Sequence, residues 1–148
     1  FTEGSWLARP VRTIMELLPF YENYSCINVL DLGAGVGRNA IPIAERFSDR
    51  ECNVDCVDLL DIAIKKLLEN SRRNGIEEHI TGIVQTIDDF KIEKSAYDLI
   101  IAVSSLEHMG SKDSLERKLN EMNLTIEQIA KAVELNEEDV KAILNEKK

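Results

Sequence analysis

A glycine-rich turn wedged between an apolar run and a helical pattern narrows the folds open to this chain. Residues 27–32 (Ile-Asn-Val-Leu-Asp-Leu) lead directly into Gly33-Ala34-Gly35-Val36-Gly37. A short apolar run that ends in turn residues reads as a strand buried on both faces. Residues 38–47 then take up helical spacing, with Pro42 near the first turn, where its missing N–H costs little. Strand, glycine turn and helix in this order form a cradle for an anion or a nucleotide. The glycines let backbone approach a ligand, and the N–H groups at the helix start face it.

The same alternation continues along the chain. Residues 53–60 read as a second strand and 61–74 as a helix, with Asp61 as its N-cap and Gly75 as its stop. Residues 80–87 and 97–103 read as the third and fourth strands. The stretch 88–96 between them is short for a full helix and reads as a turn. Ahead of the first strand, residues 9–18 have helical spacing between Pro10 and Pro19. Alternating strands and helices predict an α/β fold: a Rossmann-like three-layer sandwich around a parallel sheet of about four strands. After Gly110 no strand-like run remains. Helices are expected at 113–122, 125–133 and 137–145, with Thr125 and Gln128 as a capping box and Asn136 as the last cap. The expected organisation is an α/β domain over 1–110 and a helical C-terminal segment over 111–148.

Composition narrows the function classes. At 44% hydrophobic and 30% charged, the 148 residues can bury a core and do not read as disordered. A net charge of −9 disfavours a nucleic acid partner. Lys65, Lys66, Arg72 and Arg73 cluster in sequence but read as a solvated helix face. Cys26, Cys52 and Cys56 are an odd set spread through apolar segments, so reduced thiols are expected rather than a disulfide framework or a metal site. No run is long and apolar enough to span a bilayer, and a cytoplasmic protein is expected.

The glycine spacing separates the nucleotide readings. Gly33-x-Gly35-x-Gly37 is not the dinucleotide fingerprint, whose third glycine would fall where Arg38 stands, and the Lys-Ser/Thr of a phosphate-binding loop is absent. Residues 29–44 (VLDLGAGVGRNAIPIA) instead closely resemble motif I of class I S-adenosylmethionine-dependent methyltransferases. VDCVDLLDIAI (54–64), IVQTIDDF (83–90) and YDLIIAVSSLEHM (97–109) are similar to that family's second-, third- and fourth-strand motifs, in the right order. The resemblance covers roughly residues 1–110.

This resemblance implies S-adenosylmethionine as cofactor, S-adenosylhomocysteine as product, and a methyl acceptor expected to be a small molecule. It implies that Gly33, Ala34, Gly35 and Gly37 bring backbone against the methionine part. Asp31 would serve its amino end. Asp58 would accept both ribose hydroxyls, since two carboxylate oxygens suit a vicinal diol. Leu59 would pack on the adenine. Thr86 stands where the family commonly has an acid for the adenine amino group; Ile87 would pack on the ring, with Asp88 as a substitute acid. Ser104 and Ser105 would line the mouth. His108 and Glu107 are the candidates for a base, needed only if the acceptor must lose a proton. Trp6 would either cover the cofactor or pack on the first helix.

The family pattern would continue with three more strands. Here NLTIEQIAKAVELNEEDVKAILNEKK follows instead and resembles the end of a helix-turn-helix module, so the chain reads as truncated after the fourth strand. Glu137, Glu138 and Asp139 at the start of the would-be recognition helix argue against DNA binding. Truncation would leave the fourth strand as a bare apolar edge, so a homodimer through that edge or a helical plug is expected. Two functions remain open: a methyltransferase, or a cofactor-binding or interaction module without turnover.

Overall fold

The computed structural model describes residues 9–122. In chain order these form α1 (Arg12–Leu17), β1 (Cys26–Leu32), α2 (Ala40–Arg46), β2 (Glu51–Asp58), α3 (Asp61–Arg73), β3 (Ile80–Val84), β4 (Leu99–Ala102) and α4 (Lys112–Glu121). Short 3₁₀ turns follow α1 at Leu18–Tyr21, precede β3 at Glu77–His79 and follow β4 at Leu106–His108. Trp6 and the expected helices at 125–133 and 137–145 lie outside the described residues.

The four strands form one parallel sheet in the order β3-β2-β1-β4. The chain winds outward from β1 to β3, then crosses back to place β4 on the other side of β1. The reversal puts a topological switch point between β1 and β4, and open α/β sheets bind ligands outside the carboxyl ends of strands at such a point. Ile27, Val29, Val54, Cys56, Leu99 and Ile101 cover one face of the sheet and pack under α1, α2 and α3, with Phe47 and Leu67 fully buried. Leu30, Leu32 and Val57 cover the opposite face, against Ile92 and the half-buried Ile87, Phe90 and Met122. This is the expected Rossmann-like α/β sandwich. Cys52 and Cys56 are buried free thiols and Cys26 is half-buried. Burial pushes the Cys52 thiol up to about 11 and also raises Cys56 well above its ordinary value, so both are inert core groups.

Several boundaries differ from the sequence reading, each for a local reason. β2 ends at Asp58, leaving Leu59 and Leu60 exposed beyond it. Asp61 is not the cap of α3: Leu60 holds that position, Asp58 Oδ1 accepts the Leu60 N–H at 2.9 Å, and Asp61 pairs with Lys65 at 2.6 Å. Gly75 does end α3, at φ +66°. β3 stops at Val84 rather than residue 87. The Gln85 N–H turns to Asp58 O, and the Thr86 hydroxyl accepts the Asp89 N–H at 3.1 Å, a side-chain turn that competes with the strand ladder. Lys65, Lys66, Arg72 and Arg73 are exposed on α3, as a solvated face should be.

β4 pairs with β1 along Val29–Leu32 opposite Leu99–Ala102, and among the described residues no strand occupies its other side. α4 packs beside it: Leu119 is buried with Leu106, against Ala102, Met109 and Met122. Ser111 caps α4 by accepting the Ser114 N–H. Lys118 is fully buried; its Nζ donates to Phe90 O and pairs with Glu121 at 2.8 Å, while Glu121 accepts the Ile92 N–H. This cluster ties α4 to the segment entering β4. Lys118→Ala is expected to cost about 2 kcal/mol in urea unfolding, below the usual figure for breaking a buried pair because Glu121 keeps the Ile92 N–H and some water. Unchanged stability would show that α4 is held by its apolar contacts alone. Among the described residues, no helix is long and apolar enough to cross a membrane.

Candidate ligand site at the switch point

The three glycines of the turn serve three different ends. All have positive φ: +77° at Gly33, +55° at Gly35 and +90° at Gly37. A Cβ on Gly33 would lie 2.5 Å from Ser105 Cβ, and one on Gly37 would lie 3.0 Å from Ile41 Cδ1 and 3.1 Å from Leu67 Cγ. Those two glycines are required by packing against the segment after β4 and against α2 and α3. At Gly35 nothing lies within 4 Å of an added Cβ. Backbone is therefore open there to a close ligand. The turn is anchored to β2: the N–H groups of Gly33 and Ala34 both donate to Val57 O, at 2.8 and 3.1 Å, and Gly35 N–H donates to Asp58 Oδ2 at 2.9 Å.

Two carboxylates flank the turn. Asp58, at the carboxyl end of β2, receives one backbone N–H on each oxygen, from Gly35 and Leu60. A carboxylate has about four acceptor positions, so two remain for donors from outside. The carboxylate is thus both a local brace and a candidate ligand group. Beside it Leu59 and Val84 are large apolar side chains left in solvent, 64% and 51% exposed, where a flat apolar ligand would cover them.

Asp31, near the end of β1, is 2% exposed and its Oδ2 has no hydrogen-bond partner. Burial pushes its carboxyl up to about 7; Arg38, in the turn just before α2, opposes that rise, and Asp58 adds to it. A buried carboxyl that lacks a partner fits a site completed by a cationic or hydrogen-donating ligand.

The remaining expected residues are placed as follows. Ser104 is exposed and holds φ at 50°, while Ser105 is buried with an unpartnered hydroxyl. The 3₁₀ turn Leu106–His108 follows, with His108 exposed; the Glu107 side chain lies outside what the structure describes. Thr86 sits past β3 and donates its hydroxyl to Asp89 at 2.7 Å. Ile87 packs against the lower sheet face and α4 rather than standing open for a ring. Asp88 is drawn toward α4: it accepts the Gly110 N–H at 3.3 Å, and a hydrogen bond with Ser114 holds its carboxyl below the usual range. Thus the structure brings Asp31, the glycine turn, Asp58, Leu59 and the two serines to the carboxyl ends of β1, β2 and β4. Thr86, Ile87 and Asp88 are engaged in the loop that leads to β4. Arg38 and Ser105 gain a prominence the sequence did not give them. Which serine turns inward depends on one backbone angle, and which acid an arginine faces depends on the fold. Among the described residues no group of His, Cys, Asp and Glu has a metal-binding arrangement.

Comparison with known proteins agrees with this architecture. A family model described as a methyltransferase domain matches residues 29–128. The chain is 33% identical over 78 residues to a tRNA1(Val) (adenine(37)-N6)-methyltransferase of Haemophilus influenzae, covering 52% of this chain and 33% of that one. It is 29% identical over 96 residues to a ubiquinone biosynthesis O-methyltransferase of Rickettsia canadensis, covering 65% and 38%. The chain therefore spans only about a third of the length of these relatives. Among solved structures, it superposes on a phosphoethanolamine N-methyltransferase of Haemonchus contortus, in complex with phosphoethanolamine and S-adenosylhomocysteine. The TM-score is 0.58 at 18% identity, over 74% of this chain and 22% of that one. A glycine turn at the switch point, an acid at or next to the end of each of the first two strands, and a family match over most of the chain agree: this chain belongs to the methyltransferase-domain family, with the class I Rossmann-like fold.

Proposed function

We propose that this chain binds S-adenosylmethionine in the crevice between β1 and β4 and takes part in methyl transfer to a small-molecule acceptor. The observation that carries the reading is Asp31, a buried carboxyl with a partnerless oxygen at the switch point, beside a glycine whose missing side chain leaves open space. When bound, the cofactor supplies a methyl group activated on a sulfonium. Asp58 holds the ribose hydroxyls on the acceptor positions that Gly35 and Leu60 leave open. Leu59 and Val84 cover the adenine. Asp31 accepts from the ammonium of the methionine part, and Gly35 lets the backbone approach.

The protein's task is to hold the methyl carbon in line with the attacking atom and exclude water. For an acceptor that must lose a proton, the base in this reading is His108 or Glu107, which follow β4 in the chain. The acceptor class is read from charge: a net −9 does not draw a polyanion. Among the described residues no strand lies beyond β4, and this favours a second reading, cofactor binding without turnover.

Calorimetric titration with S-adenosylhomocysteine tests the cofactor site. Asp58→Ala is expected to weaken binding by on the order of 100-fold, about 3 kcal/mol, since it removes charge-assisted hydrogen bonds to two hydroxyls. A folded wild-type chain that binds neither S-adenosylmethionine nor S-adenosylhomocysteine would sink the proposal. Saturable binding without turnover across a broad acceptor panel would leave the second reading standing.

A further inference from the structure

α3 contains a residue poorly suited to a helix, whose side chain does nothing for that helix. Asn70 lies inside α3 and is half-buried. Asparagine is a weaker helix former than alanine or leucine, because its side chain competes for nearby backbone groups. The next residue, Ser71, behaves in that way: its hydroxyl donates to Leu68 O at 2.9 Å, within the same helix. Asn70 reaches elsewhere. Its Nδ2 donates to Val36 O at 3.2 Å, a partner 34 positions away in the chain. A carbonyl only accepts, so the amide nitrogen must be the atom that faces it.

Val36 stands between Gly35 and Gly37 in the glycine turn. The peptide unit joining Val36 to Gly37 is held at both ends: its carbonyl by Asn70, and its N–H by Ala34 O at 3.0 Å. A bond from residue i+3 back to residue i closes a β-turn, here over Ala34, Gly35, Val36 and Gly37. One helical turn before Asn70, Leu67 packs against Gly37, with Cγ 3.1 Å from where a Cβ there would stand. α3 thus grips the turn twice, by an apolar contact and by a hydrogen bond. The second grip matters because glycines flank Val36, and glycine backbone resists reorientation weakly. Asp58 also braces the turn, through the Gly35 N–H, but in the cofactor reading the same carboxylate serves the ligand. Among the described residues the Asn70 amide bonds to the turn alone.

We propose that Asn70 is a positioning residue of the ligand site. Its amide fixes the peptide after Val36, and with it the turn geometry that leaves the Gly35 backbone open to a ligand. This rests on the S-adenosylmethionine reading of the crevice. Asn70 acts through the turn and not by contact with the ligand. Without its donor the turn visits other orientations, and the apparent affinity falls with the fraction of molecules in the competent one.

The test compares the full chain with Asn70→Ala and with Asn70→Asp, which at neutral pH keeps the shape but has no donor for Val36 O. S-adenosylhomocysteine is titrated into each protein well below its thermal midpoint, and amide hydrogen exchange in the free proteins is followed by NMR. Both variants are expected to bind about 5-fold more weakly. The Gly37 amide should exchange about 5-fold faster in both, while amides in the centre of β1 and β2 keep their wild-type protection. Wild-type affinity in either variant overturns the role of Asn70 and leaves the cofactor site intact. Weaker binding with faster exchange throughout β1 and β2 also overturns it, since that is the mark of a protein destabilised as a whole. A wild-type chain that binds no S-adenosylhomocysteine overturns the cofactor reading and this inference with it.

Discussion

Replacing Gly33 with alanine is expected to destabilise the protein by about 4 kcal/mol, while the same replacement at Gly35 costs about 1 kcal/mol and acts on ligand binding instead. Both residues have positive φ, so each alanine bears the left-handed penalty. Only Gly33 adds a collision: its new methyl would stand 2.5 Å from Ser105 Cβ, an atom fixed to the backbone and unable to swing aside. Either β1 and the segment after β4 move apart or Ser105 leaves its pocket. At Gly35 the methyl would enter space that nothing occupies within 4 Å. That space is where a ligand is proposed to meet the backbone, so Gly35→Ala should weaken S-adenosylhomocysteine binding by about 10-fold or more. Urea unfolding and calorimetry on the two variants separate the effects. If both variants unfold at the same urea concentration, the close approach of Ser105 to Gly33 is not a feature of the folded protein.

How far the sequence discloses this structure depends on which forces act locally. β1 and β2 were legible in kind because short, largely apolar stretches, residues 27–32 and 54–57, run into glycine or acid. The turn was legible in kind but not in its division of labour. That Gly33 and Gly37 answer to packing and Gly35 to open space depends on residues far away in sequence, Ser105 and Leu67. β3 was read too long because Ile83, Val84 and Ile87 continue a strand pattern, while a single hydroxyl, Thr86, folds the chain into a local turn with Asp89. The cap of α3 was misread for a similar reason. Two acids, Asp58 and Asp61, both suit a helix start, and the register of β2 decided that Asp58 reaches Leu60.

The site shows the same division. Asp58 was legible because an acid at the end of the second strand has one obvious direction to point. Ser105 was not, because Val103-Ser104-Ser105 gives no clue which hydroxyl is buried until Ser104 adopts its left-handed angle. Ile87 was expected on the ligand; it is half-buried and packs beside α4 and the sheet face. Buried Lys118 carried no sequence signal, since its burial depends on the loop carbonyl of Phe90 and on Glu121 one helical turn away.

Asp31→Asn is expected to stabilise the free protein above neutral pH and to weaken S-adenosylhomocysteine binding at the same time. Burial raises the Asp31 carboxyl from 3.8 to about 7, against the pull of Arg38 and helped by Asp58. In the unfolded chain the group ionises near its ordinary value. Between about pH 4 and pH 7 the folded protein therefore holds a proton that the unfolded chain has released. Stability contributed by the neutral acid is fully present below about pH 4 and falls as the pH rises toward 7. Each pH unit of that gap is worth about 1.4 kcal/mol, so the wild type loses up to about 4 kcal/mol across the window. The asparagine variant has no proton to lose, so its stability curve should be flatter and should cross above wild type as the pH rises. Binding runs the opposite way. An ammonium beside Asp31 favours the carboxylate, so ligand affinity in the wild type should climb toward pH 7, with a fraction of a proton released per binding event. That release can be read by calorimetry in buffers of different ionisation enthalpy. In Asp31→Asn both the affinity and the released proton should be lost. A wild-type stability curve as flat as the variant's between pH 4 and 7 would mean that Asp31 is ionised and solvated in the free protein. The carboxyl would then not be poised for a cation, and the crevice would lose the charge that makes an ammonium its best-fitting ligand.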